Sequence, residues 1–208
     1  MQIGILGSGN IGASAARVFA AAGHHVRIAN SRGPESLRAL VAEIGANAEA
    51  ATAQDMVDAS DVVLIAVPWT KHEEALGELE GWDDKIVIDA MNSYTEDFEI
   101  EDLGSKTSTE FTRALVPGAR VVKAFNTLFY KRLVGDGKPK GAKDRLAIPV
   151  ASDDEAAKRV VMDLIEEIGF DAVDNGGLVE GGRKQQPGSP IYNQPLGAKE
   201  MRDQLART

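Results

Sequence analysis

There is no cysteine among the 208 residues. That excludes a disulfide framework, a thiolate nucleophile and any Cys-based metal site. Histidine is scarce, at three residues. No His cluster has metal-ligand spacing, and no G-x-S-x-G elbow occurs. Aromatic residues make up only 5%. Basic residues are the minority: 23 Lys and Arg against 32 Asp and Glu leave a formal net charge of −9. This balance argues against a nucleic-acid partner or an anionic membrane, because both need clustered Lys and Arg. No stretch approaches ~18 uninterrupted apolar residues, so no transmembrane helix is expected. The apolar run 2–6 passes straight into Gly7-Ser8-Gly9 with no basic segment before it. It does not read as a signal peptide, and a cytoplasmic location is the simplest expectation.

What is present is a rhythm. Apolar, β-branched runs of strand length recur at residues 3–6, 25–29, 62–67, 86–90, 121–125, 146–151 and 171–173. Helix-period segments lie between them. Leu37, Leu40, Val41 and Ile44 share one helical face, with Pro34 in the first turn and Gly45 as the stop. Val161, Leu164, Ile165 and Ile168 repeat the pattern, stopped by Gly169. Ser152 with Glu155, Thr52 with Asp55, and Thr70 with Glu73 read as capping boxes. Alternating β and α elements predict an α/β fold: a doubly wound, mostly parallel sheet of seven or eight strands, in one domain. Residues 135–143 are rich in glycine and lysine and read as a mobile loop. After Gly176 periodicity fades, and a short helix follows near 199–205. Pro187, Pro190 and Pro195 interleave with Ile191, Tyr192 and Leu196. That pattern favours an ordered strap over the sheet edge; the alternative is a disordered tail.

Gly7-Ser8-Gly9-Asn10-Ile11-Gly12 is a G-x-G-x-x-G motif in the right setting. A strand precedes it, and a helix with Ile11, Ala15, Val18 and Phe19 on one face follows, then a second strand. Gly7 permits the tight turn, Gly9 lets backbone approach a pyrophosphate, and Gly12 allows close packing. The helix N-terminus offers free N–H groups to phosphate. A glycine turn without a ligand is the alternative. At the end of the second strand, where an NAD site carries a carboxylate, stands Asn30, followed by Ser31 and Arg32. An amide, a hydroxyl and a guanidinium suit a 2′-phosphate, so the dinucleotide is read as NADP(H). Other strand ends add Val67-Pro68-Trp69, Met91-Asn92 and the segment 124–127 to the same edge. Asn126 is suited to orient a nicotinamide amide, or else forms a turn.

GSGNIG, Asn30-Ser31-Arg32-Gly33-Pro34, VLIAVPW and KAFNT together resemble the family of coenzyme F420-dependent NADP oxidoreductases over residues 1–180. The resemblance implies an NADP-binding Rossmann domain over 1–180, no large second domain, and hydride passing between NADP(H) and a deazaflavin. It implies that Ser31 and Arg32 hold the 2′-phosphate and that Ser8, Asn10 and Ile11 line the pyrophosphate loop. Val67, Pro68 and Trp69 would approach the ribose and nicotinamide, with Asn126 beside the nicotinamide or the second substrate. Two departures stand out. Position 36 is Ser where some relatives carry a further basic residue, and the segment GRKQQPGSPIYNQP differs from the expected apolar one. The strap and short helix, 181–208, therefore leave the acceptor open between F420, a flavin and another small molecule.

Hydride transfer needs stacking and orientation more than acid–base groups, so no catalytic side chain is singled out. His24 and His25 read as surface residues. His72 either reaches the cofactor cleft or faces solvent on a helix. Trp69, Phe129, Tyr130 and Tyr192 are candidate platforms for a planar acceptor, and Tyr192 and Asn193 are the candidate substrate contacts. Two classes of function remain: an NADP(H)-dependent oxidoreductase, or a non-catalytic NADP(H)-binding sensor or partner protein. For the tail, the rival to an acceptor-site wall is packing on a second copy in a homodimer.

Overall fold

The computed structural model describes residues 1–207. The chain runs β1 (Gln2–Leu6), α1 (Asn10–Ala21), β2 (His25–Ala29), α2 (Arg38–Ile44), β3 (Ala48–Ala50), α3 (Ala53–Asp58), β4 (Val62–Ile65) and α4 (His72–Leu76). It continues through β5 (Ile86–Asp89), α5 (Ser108–Leu115), β6 (Arg120–Lys123), α6 (Tyr130–Gly135), β7 (Ala147–Val150), α7 (Glu155–Glu167), β8 (Asp171–Asp174), α8 (Leu178–Lys184) and α9 (Ala198–Leu205). The main sheet has six strands in the order β3-β2-β1-β4-β5-β6, and every pair in it is parallel. This is the doubly wound Rossmann arrangement. The strand order reverses at β1 and β4, and there the carboxyl ends open a crevice.

Strand periodicity divides the core. Ile3, Ile5, Val62, Leu64, Ile86 and Ile88 face one layer, with Phe19 of α1 and Val161, Leu164 and Ile165 of α7. Val63, Ile65 and Val87 face the other, with Met56, Val57 and Trp82. Each fully buried aliphatic side chain contributes about 1.5–3 kcal/mol, so a register slip in any central strand would exchange two apolar sets. Gly4 belongs to this logic, since a Cβ there would lie 2.2 Å from the Met56 sulfur.

Several details differ from the sequence reading. Among the described residues there are eight strands, but β7 and β8 form a separate two-stranded sheet. It is joined to β6 by one antiparallel bridge, in which Lys123 N–H donates to Ala151 O at 2.8 Å and Ala151 N–H returns to Lys123 O at 3.0 Å. The edge strand β3 carries no apolar run, which is why the periodicity does not show it. Thr52 does cap α3, accepting from Asp55 N–H at 3.2 Å. The N-cap of α7 is Asp154, not Ser152, whose hydroxyl donates to Val121 O instead. Thr70 sits inside a 3-10 turn (Trp69–Lys71) and caps nothing. A reciprocal capping box does occur, at Thr107 and Glu110 on α5. His24 is buried against Phe19 and bonds Glu167 at 2.9 Å, so it is not a surface residue. The lysine-rich loop is pinned where Lys138 N–H meets Gly169 O at 2.9 Å. Among the described residues no helix is long and apolar enough to cross a membrane.

The C-terminal segment folds back. Ile191 joins Met201 and Leu205 of α9 against Ala147 and Val173, a small core of its own under β7 and β8.

Candidate functional site

At the β1–α1 turn each glycine answers a different steric demand. Gly7 has φ +106°, and a Cβ on it would lie 2.4 Å from Ala66 O. A Cβ on Gly12 would lie 1.9 Å from Gly7 O. Gly9 is the opposite case: it is exposed, and a Cβ would meet nothing within 4 Å. Its bare backbone therefore faces open space, as close approach of a ligand requires. Gly9 is also the N-cap of α1, with no side-chain cap and no acidic residue in the first turn. The first amides of the helix, around Asn10 and Ile11, are left for an anion. This cradle fits a dinucleotide pyrophosphate.

Asn30 organises the neighbouring rim. Its Nδ2 donates to Ser8 Oγ at 2.9 Å and Ser36 Oγ at 3.0 Å. Its Oδ1 accepts from Arg32 N–H at 2.9 Å and lies 3.1 Å from the Ser36 hydroxyl. The amide thus shapes the loop that carries Ser31 and Arg32, both exposed. Glu35, the nearest carboxylate in sequence, is paired with Arg38. The Arg32 guanidinium has no ion-pair partner among the described residues. Ser36, the position where some relatives carry a further basic residue, joins the rim through its hydroxyl.

At the other end of the crevice, Val67 and Pro68 leave β4 at the edge, half-buried and exposed respectively. Trp69 turns inward: it is 5% exposed, stacks on His72 with centroids 3.9 Å apart, and meets the edge of Phe111 at 6.0 Å. Its Nε1 donates to Glu101. His72 is buried beneath it rather than facing solvent. Its Nδ1 donates to Trp69 O at 2.5 Å, and its Nε2 has no partner.

The ends of β5 and β6 face each other as a polar pair of loops. Phe125 has φ +66°, a left-handed conformation that costs a bulky residue on the order of 1–3 kcal/mol. It aims Asn126 across the gap. Asn126 Nδ2 donates to Asn92 Oδ1 at 3.0 Å, and Asn92 Nδ2 donates back to Asn126 O at 2.9 Å. The C-terminal strap docks here. Asn126 Nδ2 also donates to Gln185 O at 2.7 Å, Asn92 Nδ2 lies 3.4 Å from the Tyr192 hydroxyl, and Asn193 N–H donates to Thr127 O at 2.9 Å. Tyr192 and Tyr94 rings sit 6.5 Å apart. Burial, and next the Tyr94 phenol, push the Tyr192 hydroxyl well above its usual pKa, so it stays protonated at neutral pH. The Asn193 side chain is exposed. Phe129 and Tyr130 pair with each other at 4.8 Å at the start of α6, which packs on α1.

Beneath this pair, Asp89 and Lys123 close adjacent strands in register. Lys123 Nζ reaches Asp89 Oδ2 at 3.2 Å, Met91 O at 2.6 Å and Ser108 Oγ at 3.4 Å. Asp89 accepts from Met91 N–H at 2.9 Å and from the Thr112 hydroxyl at 3.2 Å. Burial pushes the Lys123 pKa down, opposed by the Asp89 charge. Sequence reasoning missed both residues. The available signal was a charged residue ending each of two adjacent apolar runs.

Residues 2–93 match the family model described as NADP oxidoreductase, coenzyme F420-dependent. The hypothetical protein SMa0349 of Sinorhizobium meliloti has a solved structure that superposes with a TM-score of 0.86 at 37% identity, over 94% of this chain and 95% of that one. A protein of Arthrobacter sp. FB24, named provisionally as an F420-dependent NADP reductase, superposes with a TM-score of 0.74 at 26% identity, over 86% of each chain. The protein YjhV of Escherichia coli (strain K12) is 46% identical over 54 residues, which is 26% of this chain and 39% of that protein.

Proposed function

Because the chain belongs to the family of coenzyme F420-dependent NADP oxidoreductases, we propose that it binds NADP(H) and passes hydride between it and a planar small-molecule acceptor: F420, a flavin or a ring of similar shape. The observation that carries this reading is the pairing of an open Gly9 with an uncapped α1 N-terminus beside the unpaired guanidinium of Arg32. Gly7, Ser8, Gly9, Asn10, Ile11 and Gly12 would cradle the pyrophosphate through backbone amides. Asn30 holds the loop so that Ser31 and Arg32 can bind the 2′-phosphate, a dianion that a carboxylate at position 30 would repel. Val67 and Pro68 would wall the ribose, and Asn126 would orient the nicotinamide carboxamide. When bound, the dinucleotide supplies the hydride. The protein supplies orientation and exclusion of water, which is where the rate enhancement of such a step arises. The inward packing of Trp69 and His72 makes them the support of that wall rather than its face. Tyr192, protonated and anchored to Asn92, is the strap residue best placed for the acceptor.

The test uses the purified full chain. NADPH should bind at least ten times more tightly than NADH by calorimetry. NADPH oxidation should appear with one of F420, FMN or a ferric chelate. Equal affinity for both dinucleotides would remove the 2′-phosphate assignment. Tight NADPH binding without turnover on any of the acceptors would favour the sensor reading.

A further inference from the structure

Two buried charges, Asp89 and Lys123, pair beneath the Asn92–Asn126 amides. Asp89 and Lys123 are 0% and 1% exposed. A buried ion pair is weak evidence for stability, since desolvation offsets the attraction. Its bonds point to another use. Lys123 Nζ spends its donors on Asp89, on Met91 O and on Ser108 Oγ, while the Asp89 carboxylate accepts from Met91 N–H. The pair therefore grips both backbone polar groups of Met91, the residue just before Asn92.

Beyond Met91 the chain is constrained in polarity as well as position. Asn92 Nδ2 faces a backbone carbonyl, Asn126 O, and Asn126 Nδ2 faces another, Gln185 O. Carbonyls only accept, so neither amide can be turned over. Both hydrogens of Asn126 Nδ2 are then spent, on Asn92 Oδ1 and on Gln185 O. Its Oδ1 is left as a buried acceptor without a partner. Gln185, whose carbonyl takes part in this lock, likewise has both side-chain amide atoms buried without partners, so the seated strap leaves polar groups that a water or a ligand would satisfy.

We infer that Asp89 and Lys123 are positioning residues: by clamping Met91 they lock the Asn92–Asn126 amide pair and, through it, seat the strap. This rests on the proposed site at the β5 and β6 ends, but not on which acceptor is used. The strap hangs on this lock through Gln185 O, the Tyr192 hydroxyl and Asn193 N–H. Disturbing a pair in the sheet should therefore be felt at residues 185–193.

Hydrogen–deuterium exchange on the cofactor-free full chain tests this without any assay of activity. In Asp89→Leu/Lys123→Met, which removes both charges together, amides of 185–193 should exchange at least tenfold faster. Those of β1 and β2 should be unchanged. The acceptor KM should rise about tenfold, or kcat fall to match. Should that double variant not fold, Asp89→Asn carries the same readout, with a smaller but still local acceleration. Strap exchange equal to the parent's in a folded variant overturns the inference, as does acceleration spread evenly over the whole sheet. If the parent turns over no acceptor, the proposed activity fails while the exchange result still decides the positioning claim.

Discussion

The two ends of the crevice hold their polar groups by opposite means. At the glycine loop the groups are backbone amides and exposed side chains, all supplied by one β1–α1–β2 stretch and the turn after it. Little protein stands between them and solvent, and Gly9 faces open space. At the strap, the groups are side-chain amides locked by other amides, with a buried ion pair below. Asn92 and Tyr192 meet there across 100 residues of chain. On the proposed function, one end is open because helix geometry that forms locally would bind an anion there. The other is closed, and on the same proposal orienting a ring would need groups with no freedom left, which takes packing from several elements. The same contrast separates what each end tolerates. The glycine end is sensitive to a single methyl group, the strap end to anything that loosens its small core.

The sharpest way to break the contrast is to fill the glycine end. In Gly12→Val a Cβ would lie 1.9 Å from Gly7 O, so the turn must open. Calorimetry should find no measurable NADPH binding. Retained affinity would mean that the loop is more plastic than its contacts imply. Next is the strap. Ile191 is 1% exposed in the cluster under β7 and β8. Ile191→Ala should cost about 2–5 kcal/mol in urea unfolding, the range for emptying a packed aliphatic site, and should leave dinucleotide affinity nearly unchanged. Third, Arg32→Ala removes a charge-assisted bond worth about 1.5–3 kcal/mol, which is roughly 10- to 100-fold in NADPH affinity. NADH affinity should not move; equal losses for both would assign Arg32 another task.

The smallest effect lies at neither end and serves as the control. Asp154 caps α7 and pairs with Arg120 at 2.7 Å, and these bonds hold its carboxyl below the ordinary range. The unfolded chain takes up that proton first as pH falls. Its stabilisation is therefore complete above about pH 4 and is lost as pH drops through the folded-state value. Asp154→Asn should lower stability at pH 7 by about 1 kcal/mol, as expected for a half-exposed cap and ion pair. The gap from the parent should close on acidification, and NADPH binding should stay the same.

Particular residues show what could be read in advance. Gly7, Gly9 and Gly12 stand at spacings whose meaning is local, so the Rossmann turn and the helix behind it were legible. So were the alternating strands, because each central strand carries its own apolar pattern. The strap was foreseen from three prolines interleaved with Ile191, Tyr192 and Leu196, but not the core it forms with α9. The two histidines went the other way. His24 reads as a surface residue and His72 as a residue of either the cleft or the solvent face, yet one packs on Phe19 and the other under Trp69. β3 was invisible because an edge strand of Ala48–Ala50 needs no apolar run.

By itself, then, the sequence determined the alternation of elements, the glycine turn and the charge beside it, since periodicity, glycine sterics and side-chain charge act within a few residues. Only the tertiary structure decided that β7 and β8 leave the main sheet and that Asp89 and Lys123 meet below Asn92 and Asn126. Those outcomes depend on which strand ends lie side by side. A parallel sheet sets that through crossovers, bringing Asp89 against Lys123 across 34 residues of chain, a distance over which no local pattern carries information.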